Sequence, residues 1–553
     1  MNINAWFSPT RRDFARSGSF SFLLLIFFLL ALLVPVSTAF AEETPTFESA
    51  IAQLSEKSYK VKGSAIDTIA GSGHEKASFI LQSMFDGSLF YHKKSKQLLL
   101  VEKEGSKYLT FDALTGDKGE TVKKRAVKKV SINNTLRSQL RSLIASLNLQ
   151  NPDAEIRLAS VREMLGSVSP ETATLLNSYI ETEENADVRD MLNIAINLSE
   201  LDSDNKQTRL DAIDYLSGSL ETDVYNKIKT VSESDSEESV RTEALKALEI
   251  IEDRRKLSSM AETLFFGISL GSVLVLAAIG LAITFGVMGV INMAHGELIM
   301  LGAYTTYLVQ TVMPDYPGVA LILSIPAAFL VSGTMGIAIE RGIIRHLYGR
   351  PLETLLATFG VSLILQQLVR TVISPQNVPV SNPEWMSGSI EINSVLSLTM
   401  NRLYIIAFCL VVFAVLIMIL KKTSLGLQVR AVAQNRSMAR AMGVRSERVD
   451  ALTFGLGSGI AGIAGVALSQ LTNVGPNLGQ AYIVDSFMVV VFGGVGNLWG
   501  TLVGGLSLGV ANKILEPWSG AVLAKILVLV FIILFIQKRP RGLFPQKGRA
   551  AGD

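Results

Sequence analysis

Asn292, His295 and Glu297 lie within six residues of one another in VINMAHGELIMLGAY (290–304), inside a strongly apolar part of the chain. Polar and titratable groups at membrane depth are expensive to bury and usually mark a function. A His-x-Glu triplet serves zinc deamination only beside a Cys-x-x-Cys, and the chain has a single cysteine, Cys409. A zinc protease helix needs His-Glu-x-x-His, which is absent, and His346, the other histidine of this half, stands about fifty residues away beside basic residues. No metal site and no catalytic constellation are therefore expected. A proton relay uses His and Glu at membrane depth. The layout of apolar segments, however, puts Asn292 to Glu297 at a cytoplasmic helix junction. There an Asn or His caps the next helix, and Glu297 in its first turn suits the helix dipole. These residue types argue for organising the junction more than for chemistry on a solute.

The elements around that stretch divide the 553 residues into two contrasting parts. Apart from its first forty residues, the chain reads as charged and soluble up to about Lys256, then as membrane protein from Leu264 to Gln537. A net charge of +2 gives no reason to invoke nucleic acid, and one cysteine excludes an intrachain disulfide. The first 41 residues resemble a signal peptide: basic Arg11, Arg12 and Arg16, an apolar core from Phe20 to Val34, and Ala39-Phe40-Ala41 as a small-x-small cleavage site. TRRDF (10–14) also has a twin-arginine look. The alternative is an uncleaved anchor, although the apolar core is short of the ~20 residues a span needs. Either reading exports residues 42–255.

Within that exported part, 42–133 is expected to be mixed, with a small β element where 85–119 shows short alternating runs and Gly turns. From 134 to 255 helical periodicity takes over. Four similar segments carry Arg157, Arg189, Arg209 and Arg241, spaced by 32, 20 and 32 residues, so two similar pairs are offset by 52. Each has apolar residues three and four apart after the arginine, giving one buried face. The pattern resembles HEAT-type repeats, which stack because one unit cannot bury its own apolar face; an ordinary helical bundle is the alternative.

Apolar spans are expected near 262–287, 294–312, 317–339, 352–374, 402–420, 449–471, 482–494, 500–514 and 520–537. Basic residues gather at Arg341, Arg345 and Arg350, between Lys421 and Arg448, and from Lys538 to Arg549, so these connections should be cytoplasmic. Residues 375–401 and 472–482 have few positive charges and should face out. A helix rises about 1.5 Å per residue and the hydrocarbon core is about 30 Å thick, so 482–494 is too short to cross alone. A broken or re-entrant segment is expected around FGGVGNLWG (492–500).

The connection 421–448 holds seven Lys or Arg and one Glu. Within it VRAVAQNRSMARAMGV (429–444) has helical character and stops at Gly443. An amphipathic helix of this kind suits a groove on another protein; a basic helix on the membrane surface is the alternative, but Trp and Phe anchors are missing. No G-x-x-x-x-G-K-[ST] occurs, so any ATP-driven motor is a separate subunit.

GVINMAHGELIMLGAY (289–304), TSLGLQVRAVAQNRSMARAMGV (423–444) and VVVFGGVGNLWGTLVGG (489–505) make residues 262–549 similar to permease subunits of ATP-driven importers in the branched-chain amino-acid family. GPNLGQAYIVDSFMVVVFGGVGNLWG (475–500), residues 511–549 and the long exported region resemble the urea permeases of that family. The apolar and basic layout gives an all-α, polytopic helical membrane bundle of about eight or nine spans (262–537), one of them broken or re-entrant. An exported HEAT-like helical domain with a small β element precedes it, and a cytoplasmic basic tail (538–553) follows. The resemblance implies no cofactor and no enzymatic activity. It further implies cytoplasmic ATP-binding subunits, a second permease subunit or a second copy, a periplasmic solute-binding protein, urea as solute, and an inner-membrane site in contact with lipid. Asn292, His295, Gly296 and Glu297 are then the family's motif residues. The ATPase-coupling loop contains Gly426, Arg430, Ala431, Asn435, Arg436, Ala439 and Gly443. A path for urea needs hydrogen-bonding groups without fixed charge, for which Gln366, Gln367, Asn473, Asn477, Gln480 and Asn497 are candidates on composition. Branched-chain amino acids or short amides are the alternative solutes, and a membrane-anchored sensor or scaffold is the alternative of another class.

Overall fold

A computed structural model describes residues 47–544 apart from 105, 106 and 169. The signal-like segment 1–41 and the end of the basic tail lie outside the described residues. The chain falls into two compact units that divide between Ser199 and Glu200.

The first unit opens with three helices, α1 (Phe47–Gln53), α2 (Tyr59–Gly71) and α3 (Ala77–Asp86). A five-stranded antiparallel sheet follows: β1 (Leu89–His92), β2 (Leu98–Glu104), β3 (Lys107–Asp112), β4 (Lys118–Lys123) and β5 (Val127–Lys129), in the order β4-β3-β2-β1-β5. Ile66, Ile69, Leu81, Met84 and Leu89 join Leu136 and Leu140 of α4 (Asn134–Asn148) in one core. The expected β element is thus a full sheet, reaching beyond residue 119. Helices α5 (Ala154–Met164), α6 (Pro170–Ile180) and α7 (Ala186–Glu200) complete the unit.

The arginine spacing has a structural counterpart. Arg157 donates to both carboxylate oxygens of Glu183 at 2.8 and 2.7 Å and to the carbonyl of Asn151. In the second unit, 52 residues on, Arg209 pairs with Asp235 at 2.9 Å and donates to the carbonyl of Ser203. Arg189 and Arg241 donate to the backbone carbonyls of Glu183 and Asp235. Each pair ties the start of one helix to the turn before a later one. The hydrogen bond from Arg157 holds the Glu183 carboxyl below the usual glutamate range.

The second unit contains α8 (Lys206–Leu216), α9 (Thr222–Ser234) and then α10 (Glu238–Met288), a single helix of 51 residues. The boundary expected between 255 and 262 falls inside a continuous helix, while the two compact units divide at 199/200. The stretch RRKLSSMAETLF (254–265) explains the continuity, since it contains neither Gly nor Pro to interrupt the backbone ladder. Next come α11 (His295–Val312), α12 (Pro317–Gly342), α13 (Pro351–Val372), a hairpin of β6 (Ser389–Glu391) and β7 (Ser397–Thr399), and α14 (Met400–Lys422). The basic connection forms α15 (Ser424–Gln434) and α16 (Arg436–Ala441), followed by α17 (Ser446–Ser469), α18 (Leu478–Gly493) and α19 (Leu498–Lys538). Among the described residues, six helices are long and apolar enough to cross a membrane. They are α10, α12, α13, α14, α17 and α19, the last broken at Gly520 (φ 77°).

The backbone leaves helical geometry at 494–497, inside the expected stretch 492–500. Gly494 (φ 107°) and Gly496 (φ 79°) make 492–500 a tight turn between two helices, closed by Phe544 N–H donating to the Gly493 carbonyl. Two other non-helical stretches, 289–294 and 471–477, enter the bundle. Gly289 (φ 68°) ends α10. The chain then climbs back beside it, so that His295 hydrogen-bonds the carbonyl of Ala277 at 2.8 Å, eleven residues before the end of α10. Eleven helical residues rise about 16 Å, a height bridged by the connection 289–294 together with the reach of the His295 side chain.

Candidate functional site: two helix starts inside the bundle

The start of α11 lies near mid-height. Ser332, in the middle of the 26-residue α12, donates to the carbonyl of Leu298 at 2.9 Å. The start of α18 meets it there: a Cβ on Gly296 would stand 2.6 Å from the Gly479 carbonyl oxygen, so the two backbones touch. Two helix N-termini, each with backbone N–H groups short of intrahelical acceptors and a positive dipole end, therefore abut inside the bundle. Asn292, His295 and Glu297 were expected at a cytoplasmic junction. They lie in the interior instead, because the chain leaves α10 at left-handed Gly289 and returns along the bundle through the non-helical stretch 290–292 before turning into α11 at Met293–Ala294. Gly296→Ala is expected to force these helices apart, costing about 1–3 kcal/mol as for overpacked cores. A lowered unfolding temperature of the purified chain checks this, and an unchanged one contradicts it.

The polar groups at this meeting point are arranged by α13. Thr354, Thr358, Ser362, Gln366 and Arg370 recur every fourth residue and so form one line along that helix. The first four are buried. Leu352, Leu356, Ile364 and Leu368 on other faces are exposed, as lipid contact would allow. Thr358 Oγ1 accepts from the Met293 N–H at 3.1 Å. Ser362 Oγ and Gln366 Nε2 both donate to Glu297 Oε1, at 2.9 and 2.7 Å. Arg370 donates to Asn477 Oδ1 at 2.7 Å, beside the start of α18. Asn292 Oδ1 accepts the Ala294 N–H. Since His295 Nε2 faces a carbonyl, it carries the proton and Nδ1 is an acceptor. Among the described residues, three buried atoms here have no hydrogen-bond partner: Asn292 Nδ2, His295 Nδ1 and Glu297 Oε2. One donor and two acceptors thus remain free where unpaired polar groups are costly.

Of the path candidates, Gln366 is in this seam and Asn477 at its edge. Gln367 faces outward, Asn473 is exposed just before α18, and Gln480 is exposed in its first turn. Asn497 caps α19 at the opposite end of α18. Thr354, Thr358, Ser362 and Arg370 were not singled out from the sequence; a polar residue every fourth position in an apolar span was the available signal.

The basic connection is two helices rather than one. Asn435 ends α15, and its side chain caps α16 by accepting the Met438 N–H. Gly443 (φ 86°) follows α16, at the expected stop. Gly426 packs against the Leu420 backbone, and Arg430 donates to the Leu420 carbonyl. Arg436 binds buried Asp450 bidentately at 2.9 and 2.8 Å and lies over the Tyr348 ring. Ala439 faces inward with Val429, Val432 and Val449, and Ala431 packs at the edge of that cluster. The outward apolar residues are Leu427, Met438 and Met442, which composition alone did not distinguish.

Residues 263–536 match the family model described as "Branched-chain amino acid transport system / permease component". The chain is 30% identical over 291 residues to the high-affinity branched-chain amino acid permease LivH of Salmonella typhimurium, covering 51% of this chain and 94% of that one. It is 30% identical over 286 residues to BraD of Pseudomonas aeruginosa, covering 50% and 93%. It is 24% identical over 274 residues to the ribose import permease RbsC of Haemophilus influenzae, covering 48% and 81%. No solved structure matches.

Proposed function

Because this chain belongs to the family of branched-chain amino acid transport permeases, we propose that it is the membrane subunit of an ATP-driven importer whose solute is urea or an equally small amide. The observation that carries the solute reading is the free Glu297 Oε2 beside two abutting helix starts. A carboxyl oxygen accepts N–H groups, and helix N-termini attract a carbonyl oxygen. Urea offers both within one small molecule. The likeness of 475–500 and 511–549 to urea permeases supports the same choice. Branched-chain amino acids are the second reading. The relatives' names favour it, and so does Arg370, a cation on the same stripe as Glu297 that suits a carboxylate.

In this reading, nine helical passes leave 47–255 outside and the basic connections inside. The repeats at 134–255 are HEAT-like, and α15–α16 offer Leu427, Met438 and Met442 to an ATP-binding subunit. A second permease and a periplasmic binding protein complete the importer. Deleting the gene in its own host and restoring it on a plasmid tests the solute. Uptake of micromolar labelled urea is expected to vanish and return, with leucine uptake unchanged. The opposite pattern establishes the amino-acid reading, and no change in either removes both.

A further inference from the structure

At the basic end of the bundle, a cavity of about 410 Å³ lies between the end of α12, the α12–α13 connection, α16 and the first turn of α17. Three carboxyl groups line it, and each is engaged. Asp450 binds Arg436, Glu447 stands 3.7 Å from Arg345, and Glu340 accepts from the Tyr348 hydroxyl at 3.3 Å. Three further arginines, Arg341, Arg440 and Arg448, line the same space. Arg440 Nε donates to Ser446 Oγ at 2.7 Å. Among the described residues none of these three has an ion-pair partner. Five guanidinium groups thus face three satisfied carboxyls around a volume large enough for a small anion.

We propose that this cavity binds a phosphate-bearing anion, either the headgroup of an acidic phospholipid or a soluble phosphate. Guanidinium groups match phosphate oxygens in paired, charge-assisted hydrogen bonds. Basic pockets between membrane helices on the cytoplasmic side are suited to acidic headgroups. Just past Tyr348 the chain enters α13, where Leu352 and Leu356 are 81% and 70% exposed and offer an apolar surface for acyl chains. A bound phosphate would join the end of α12 to α16 and α17. This site is separate from the solute site, and its existence does not depend on which solute is carried.

The test uses the purified full-length chain in nanodiscs of phosphatidylcholine, with or without phosphatidylglycerol. Native mass spectrometry is expected to find phosphatidylglycerol retained by the wild type in preference to phosphatidylcholine. Arg341→Gln/Arg448→Gln should lose that preference and Arg341→Lys/Arg448→Lys should keep most of it. In phosphatidylcholine alone, millimolar inorganic phosphate raising the unfolding temperature of the wild type but not of the glutamine variant supports the site and identifies the soluble source. Equal lipid retention by wild type and glutamine variant, with no phosphate effect, overturns the proposal. Should the glutamine variant not fold, the wild type decides: no lipid preference and no phosphate effect overturns it.

Discussion

Glu297→Leu is expected to abolish uptake while the chain still reaches the membrane. The substitution strands the Ser362 hydroxyl and the Gln366 amide, both buried donors to Glu297 Oε1. A buried donor without an acceptor costs about 1–3 kcal/mol, so the α11–α13 seam loses its fixed geometry as well as its free oxygen. Glu297→Gln retains one acceptor for both donors but replaces the free carboxyl oxygen with an N–H donor. It should therefore preserve membrane levels and stability while weakening uptake. Uptake is measured with the labelled solute that the deletion strain fails to accumulate, at matched membrane levels. Full uptake by Glu297→Leu would show that the seam takes no part in transport. Normal uptake by Glu297→Gln would show that Oε2 is not a solute contact.

Arg436→Ala should give the largest loss of stability. Asp450 is fully buried, and Arg436 supplies both of its charge-assisted hydrogen bonds. Removing one partner of a buried ion pair typically costs about 3–5 kcal/mol, because an uncompensated charge is left inside. Since Arg436 is partly open to solvent, the lower end of that range is expected. The unfolding temperature of the purified chain reads the effect. Adding Asp450→Asn to Arg436→Ala should recover part of the loss, since the stranded charge is gone. A single variant as stable as the parent would mean that the pair contributes nothing to the fold.

Much of the architecture was legible because membrane helices announce themselves by apolar length. The expected spans near 317–339, 352–374, 402–420 and 449–471 coincide with α12, α13, α14 and α17 to within a few residues. The arginine spacing of 32, 20 and 32 likewise foreshadowed the Arg157–Glu183 and Arg209–Asp235 contacts. The site itself was misplaced. VINMA reads as a short polar connection, and nothing local tells whether such a connection stays at a surface or runs back inside. That depends on α10, α12 and α13 leaving room for non-helical backbone between them, which is a tertiary property. The stripe on α13 was readable in principle, yet threonine and serine in a span also bond to their own helix and carry little signal alone. The inward turn of Ala439 and outward turn of Met438 depended on the break at Asn435, where φ reaches −153°.

The unbroken course of α10 makes the last helix of the charged, repeat-bearing part and the first apolar span one shaft. Its outer turns pack on α8 and α9, and its inner turns hold the Ala277 carbonyl against His295. No break in the helix lies between its two ends to act as a swivel. One added residue anywhere between Lys256 and Glu262 would rotate the two ends by about 100° and separate them by about 1.5 Å. Seven added residues, close to two full turns, would nearly restore the phase at a greater length. Whatever grips the helices packed on its first turns consequently has a torsional handle on the stretch that holds His295.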